Sequence, residues 1–367
     1  MKYYIIAGER SGDLHGSNLI KALKKVDPAT EVRGWGGDQM EKAGASIVVN
    51  YTSLAFMGFW EVFKNIFTIQ KYLKLCKKDL MQYQPDVLIL IDYAGFNLRI
   101  AKFAKKHDVK VFYYISPKVW AWNQSRAFKI KAIVDKMFVI LPFEESFYKK
   151  YDYKVDYVGN PLLDAIRDFV PDNNFLKDHH INKPVIAILP GSRKQEIENI
   201  LALMVGIVND FPAYQFVVAG VDNLPAPFYA AVHEKDAIKL IFNQTYDLLA
   251  NAHAALVTSG TATLETALLG VPQVVCYKTS AVSYRIAKAL IKVKYISLVN
   301  LIAEEEVAQE LIQQDLNESK LRASLENILA GDGRAKILDG YSKIKTKLGS
   351  ERASDNLARL IVKYLKE

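Results

Sequence analysis

Cysteine is nearly missing from this chain. In 367 residues there are two, Cys76 and Cys276, far apart and without metal-ligand spacing. That pattern excludes a disulfide framework and a zinc finger, and it fits a reducing cytoplasm. No predominantly apolar run reaches about 18 residues, so no membrane span is expected. The run Tyr3-Tyr4-Ile5-Ile6-Ala7 near the N-terminus is too short for a signal peptide and reads as a first strand. Neither the G-x-G-x-x-G dinucleotide fingerprint nor a G-x-x-x-x-G-K-[ST] loop is present. Repeats, low-complexity tracts and RNA-recognition patterns are absent too. The basic balance, 48 Lys and Arg against 40 Asp and Glu for a net charge of +8, therefore points to phosphorylated substrates or an anionic membrane surface, with no nucleic acid.

What the chain does have is alternation. Strand-like runs at 3–7, 86–92, 109–115 and 136–141 are interleaved with helical patterns at 16–25 and 98–106. This implies βαβ units and a parallel sheet with helices on both faces. The pattern weakens after Asn160-Pro161, through Val170-Pro171-Asp172-Asn173-Asn174, and a linker is expected near residue 170. It restarts with runs at 185–189, 215–219, 254–257 and 273–277. Residues 318–367 read as helices broken at Gly331-Asp332-Gly333. The expected fold is α/β: two Rossmann-like doubly wound domains, residues 1–170 and 171–345, facing a central cleft, with ligands at the carboxyl ends of the strands.

Five stretches at such ends carry candidate chemistry. Ala254–Val257 would be a strand leading into Thr258-Ser259-Gly260-Thr261 and a helix stopped by Gly270 and Pro272. Unpaired N–H groups at that helix start suit an anion, and Glu265 is placed to accept both hydroxyls of a ribose. An ordinary αβ unit with Ser and Thr caps would read the same way. Leu189-Pro190-Gly191-Ser192-Arg193 forms a second such turn, with Arg193 positioned to pair a phosphate through two parallel hydrogen bonds. Asp92 follows the most apolar strand; it is either a general base with a pKa raised by burial or a helix-capping or turn aspartate. Ser11, Gly12 and Asp13 form a loop after the first strand, where Asp13 is a candidate cap and His15 a candidate base or a structural histidine. Trp120 and Trp122 line a sugar or acyl surface or pack a floor. Finally, Phe59, Val62, Phe63, Ile66 and Leu73 recur at helical spacing, with Trp60 and Phe67 widening the stripe and Lys64, Lys71 and Lys78 opposite. This is an interfacial helix or a core-facing one with a solvated lysine face.

Together these motifs resemble the lipid-A-disaccharide synthase family of GT-B glycosyltransferases. The resemblance rests on AGE-x-SGD at 7–13, MG-x-x-EV at 57–62, PDV-x-x-x-ID at 85–92 and Y-x-SP-x-VWAW at 114–122. It continues through LPFE at 141–144, LPGSR-x-x-E at 189–196, SGTATLE at 259–265 and YISL-x-NL-x-A at 295–303. It implies an inverting transfer from a UDP-2,3-diacylglucosamine donor to a 2,3-diacylglucosamine 1-phosphate acceptor, giving a β-1,6 disaccharide and UDP, without cofactor or metal. Asp92 then matches the base, Arg193 a diphosphate contact, Glu265 a ribose contact and Asn300 a further active-site residue. The helix after Met57, with Phe59, Trp60, Phe63 and Phe67, would meet acyl chains or the inner-membrane surface of a Gram-negative-type bacterium from the cytoplasm. The segment 346–367 would cross back to the first domain or to a partner subunit, and a homodimer is left open. Two positions depart from the family: Gly95 stands where an acidic residue is common, and Val299 where a proline is. Competing readings are a UDP-N-acetylglucosamine epimerase, a soluble-acceptor GT-B transferase, and a non-enzymatic lipid or nucleotide binder.

Overall fold

The computed structural model describes residues 1–54, 66–222, 224–233 and 237–367. The chain forms two compact units, Met1–Asp164 with Ser350–Glu367, and Ala165–Gly349. The passage between them lies upstream of the linker expected near residue 170.

The first unit is built on seven strands: β1 (Lys2–Ala7), β2 (Glu31–Gly36), β3 (Ala45–Asn50), β4 (Val87–Ile91), β5 (Val111–Tyr114), β6 (Lys136–Val139) and β7 (Asp156–Tyr157). All pair in parallel, in the order β3-β2-β1-β4-β5-β6-β7. Side chains alternate between the two faces of each strand. Tyr3, Ile5 and Ala7 of β1 therefore join Leu19, Ile20 and Leu23 of helix α1 (Arg10–Val26) in one core. Three further helices matter below: α2 (Asp38–Lys42), α3 (Ile66–Tyr83) and α4 (Ala94–Lys105).

The C-terminal helix (Ala353–Lys366) completes this core. Leu357, Ala358 and Ile361 are fully buried in it. Its start is held by the buried Asp164, whose carboxylate accepts the N–H groups of Ala353 and Ser354, both at 3.3 Å, and the Ser354 hydroxyl at 3.0 Å. Tyr364 donates to Asp156 at 3.0 Å near its far end.

The second unit repeats the plan with β8 (Val185–Leu189), β9 (Gln215–Gly220), β10 (Ile238–Phe242), β11 (Ala252–Thr258), β12 (Gln273–Tyr277) and β13 (Glu310–Ile312). They are parallel, in the order β10-β9-β8-β11-β12-β13. Ile186 and Ile188 face one core, and Val185, Ala187 and Leu189 the other. Its site-bearing helices are α5 (Lys194–Gly206), α6 (Thr261–Leu268), α7 (Ala281–Leu290) and α8 (Leu298–Ala303). The break expected at Gly331-Asp332-Gly333 falls one residue earlier: helix Glu318–Leu329 ends before Ala330, and the glycines lie in the first turn of the next helix.

Candidate active site

Each sheet has one place where strand order reverses, and a doubly wound sheet binds ligands beyond the carboxyl ends of the strands there. In the first unit this is between β1 and β4, where Ala7 pairs with Ile91. The Gly8 loop therefore lies beside Asp92-Tyr93, so closely that a Cβ on Gly8 would stand 2.2 Å from the Tyr93 ring. In the second unit β8 and β11 meet, with Leu189 opposite Val257. That register puts Pro190-Gly191-Ser192-Arg193 next to Thr258-Ser259-Gly260.

Backbone strain gathers at the carboxyl end of the first sheet. Asp92, Tyr93 and the β-branched Ile115 all have left-handed φ, at 45°, 47° and 66°. Such residues persist only where the surroundings over-determine them. Here the Asp92 N–H donates to the Tyr114 carbonyl at 3.0 Å, and its carbonyl accepts from the Asn97 amide at 2.8 Å and from the Tyr113 hydroxyl. The main chain is thus pinned while the carboxylate stays half-buried. Burial pushes that carboxyl above its ordinary range, and the Lys118 ammonium partly offsets the rise. Asp92 is not a helix cap: Tyr93 occupies the cap position of α4, with no side-chain cap hydrogen bond. At Gly95 a side chain would meet nothing within 4 Å.

The loop expected at Ser11, Gly12 and Asp13 is instead the first turn of α1. Asp13 is 2% exposed, and its carboxylate accepts N–H groups from Gly37 at 2.7 Å and from Gln39 and Met40 at 3.1 Å. It caps α2 across the fold and is not open to a ligand. Gly12 is buried against Ala7, and Ser11 alone of the three is exposed. His15 is half-buried and edge-on to Tyr114, with ring centroids 6.4 Å apart; burial pushes its imidazole down to about 4, so it is neutral near pH 7.

The two tryptophans part company. Trp120 is buried and donates its indole N–H to Glu144 at 3.1 Å; Trp122 is exposed, with Arg126 over its ring at 5.6 Å. Glu144 also accepts the Ile140 and Leu141 N–H groups, at 3.2 and 3.0 Å, and burial pushes its carboxyl up to about 7.

In the second unit, Gly191 takes φ 104°, which a glycine tolerates without strain. The turn is closed by Glu196 at the third position of α5. It accepts the N–H groups of Ser192 at 3.1 Å and Arg193 at 3.2 Å, and the Arg193 guanidinium at 3.2 Å. Sequence inspection gave Glu196 no role, although its spacing is that of a capping-box acid. The Arg193 side chain remains 83% exposed. Ser259 binds the turn to its neighbours, its N–H to the Cys276 carbonyl and its hydroxyl to the Ile296 carbonyl, both at 3.0 Å. Gly260 and Thr261 are exposed at the start of α6. Glu265 is half-buried; Tyr246, unnoticed in the sequence, donates to it at 2.7 Å, and burial raises its carboxyl.

Asn300 lies elsewhere than at a contact surface. It is fully buried, and its amide is engaged throughout: Nδ2 donates to the Ala308 carbonyl at 2.7 Å and to Glu310 at 2.9 Å, and Oδ1 accepts the Val307 and Ala308 N–H groups at 2.9 Å. Glu310 in turn accepts the Ile296 and Ser297 N–H groups and the Ser297 hydroxyl, at 3.0, 3.0 and 2.6 Å. Phe59, Trp60 and Phe63 lie outside the described residues, as does the 57–62 motif. Phe67 is 81% exposed, on the face of α3 that also carries the exposed Lys71, Lys74 and Lys78 and not on the face of Ile69, Cys76 and Leu80. Among the described residues no helix is long and apolar enough to cross a membrane.

Two all-parallel sheets, each with candidate groups at its switch point, define the GT-B fold. Solved structures agree over essentially the whole chain. S. aureus MnaA in a co-structure with UDP gives a TM-score of 0.71 at 14% identity, covering 100% of this chain and 97% of that one. The calicheamicin glycosyltransferase CalG4 gives 0.63 at 13%, with coverage of 100% and 98%. Residues 3–362 match the family model described as lipid-A-disaccharide synthetase. The lipid-A-disaccharide synthase of Syntrophus aciditrophicus is 39% identical, covering 99% of this chain and 97% of its own, and that of Coxiella burnetii is 37% identical, covering 97% and 96%. The chain belongs to the lipid-A-disaccharide synthetase family; it is a glycosyltransferase with lipid-A-disaccharide synthase activity, in lipid A biosynthesis.

Proposed function

We propose that Asp92 is the base of an inverting transfer from UDP-2,3-diacylglucosamine to 2,3-diacylglucosamine 1-phosphate, forming a β-1,6 disaccharide and UDP. The observation that carries this is the pinned, left-handed backbone at the first switch point, which presents a carboxyl with a raised pKa. A base nearer neutrality takes the acceptor 6-hydroxyl proton more readily, and its ionised form is still the working one.

The donor groups belong to the second unit. Arg193, Ser192 and the first N–H groups of α6 suit the diphosphate, whose charge grows as UDP departs. Glu196 holds the same donors in the free chain, so the diphosphate would replace one anion with another. Ser259, Gly260 and Thr261 shape the anion turn. Glu265, oriented by Tyr246, suits the ribose hydroxyls. Asn300 acts by position: with Glu310 it fixes the segment to which Ser259 is bound. Phe67 among lysines on α3 supports contact of the first unit with acyl chains or a lipid surface.

The GT-B fold alone also suits sugar-nucleotide epimerases, and the test must separate these. UDP release from the diacylated donor is measured in detergent micelles containing EDTA, with and without acceptor. Acceptor-dependent release with a disaccharide product is expected. Turnover of plain UDP-N-acetylglucosamine without release from the acylated donor would overturn the assignment.

A further inference from the structure

No acidic residue occurs between Glu265 and Glu304, yet five cations do: Lys278, Arg285, Lys288, Lys292 and Lys294. Most of them ride on α7 and the stretch that follows it. The helix starts at Ser280, whose hydroxyl oxygen accepts the Ser283 N–H at 3.2 Å. Its described side chains are exposed except on one side. Tyr284 and Ala287, three residues apart, are half-buried, while Val282, Arg285 and Ala289 share the outward face at helical spacing. Val282 is 68% exposed and Leu290 50%, with Ile291 exposed just beyond the helix. Lys288 and Lys294 lie over the rings of Tyr284 and Tyr295, at 6.0 and 5.0 Å. The segment leaves and rejoins the second unit at the donor turn, because Ser259 binds Cys276 just before it and Ile296 just after it.

We propose that α7 and residues 291–294 form a lipid-docking face on the second unit that lies on an anionic bilayer surface. Apolar side chains flanked by cations, with no carboxylate on the segment itself and Glu306 alone felt at Lys294, complement acidic headgroups over an apolar interior. A second copy of this chain, itself carrying a net charge of +8, is poorly suited to that face. Docking would hold the donor turn at headgroup depth; only this benefit rests on the acylated substrates proposed above, and the binding does not.

The full chain is sedimented with vesicles of phosphatidylethanolamine and phosphatidylglycerol, and with phosphatidylcholine vesicles for comparison. Preference for the anionic vesicles is expected. Arg285→Ser with Lys288→Ser should weaken that binding roughly thirty-fold, from about fivefold per charge removed. Val282→Ser with Leu290→Ser should weaken it about tenfold. Both pairs should keep their transfer rate in detergent micelles, which also shows that they fold. Unchanged vesicle binding in both pairs overturns the proposal, and loss confined to Phe67→Ser would do so while leaving the first-unit lipid contact standing. A change in the mass of the lipid-free chain would instead assign the face to self-association.

Discussion

At the scale of single residues, the separation between a charged group that holds the fold and one that awaits a substrate is visible in its partners. Asp13 accepts three N–H groups from across the fold; Asp92 has its backbone pinned, and its half-buried carboxyl meets only the adjacent Tyr93 N–H, with the Lys118 ammonium nearby. Asp92→Asn is therefore expected to lower transfer at least about 100-fold with little change in donor binding. Because burial raises the Asp92 carboxyl, and the ionised form is the working one, the acid limb of kcat/KM should lie above the ordinary carboxylate range. Activity falls as pH drops through it, and a limb at or below that range removes Asp92 from the role. Arg193→Ala tests the donor side. Its ion pair with Glu196 is on the surface, worth less than about 1 kcal/mol, so the melting temperature should barely move. Transfer should nevertheless fall on the order of 100-fold. A large loss of stability with normal turnover would reverse that assignment.

At the scale of elements, what was legible in the sequence were the strands buried on both faces. The apolar runs of β1, β4, β8 and β12 announce themselves because neither side must meet water. The strands not foreseen are β2 and the sheet edges β3, β7, β10 and β13. Edge strands are half-covered, and β3 and β10 accordingly mix exposed with buried positions. The site loops were legible for a related reason: a glycine-bearing turn after an apolar strand marks a carboxyl end. Their partners were not. Tyr246 meets Glu265, and Asp13 meets Gly37, through folding alone, and no local pattern encodes those meetings.

Asn300 belongs to this scale, since sequence resemblance gives it a role but not the mode of action. Asn300→Ala would leave the buried Ala308 N–H without its acceptor and the half-buried Val307 N–H with only the Glu305 carbonyl at 3.1 Å, at a cost of about 2 kcal/mol. Thermal unfolding should fall accordingly and donor KM should rise more than kcat drops. A kcat collapse at unchanged stability would mean direct contact with the reacting groups.

At the scale of the whole molecule, two titratable and packing features tie local chemistry to global stability. Glu144 is ordinarily a carboxyl of pKa near 4.5 but is pushed up to about 7 in the folded chain. Between those values the native state binds more protons than the unfolded one, so stability is highest below about 4.5 and is lost as pH rises towards 7. The span is about 3 kcal/mol, and Glu144→Gln should remove that slope whatever its effect on absolute stability. The reporter is convenient: all four tryptophans, at positions 35, 60, 120 and 122, fall in the residue range of the first unit. Tryptophan fluorescence therefore follows the unit that contains Glu144, while UDP binding, at the donor site proposed above, follows the other. The same pair of probes tests the C-terminal helix. Ile361 is fully buried against α1 and β1 after a chain excursion through the entire second unit. Ile361→Ala should cost about 3 kcal/mol by deletion of buried methyls and the cavity left behind. In a urea titration its tryptophan transition should move to lower denaturant while UDP binding keeps its midpoint. If both midpoints fall together, the two units unfold as one, and the last helix is a clasp for the whole chain and not only for the sheet it covers.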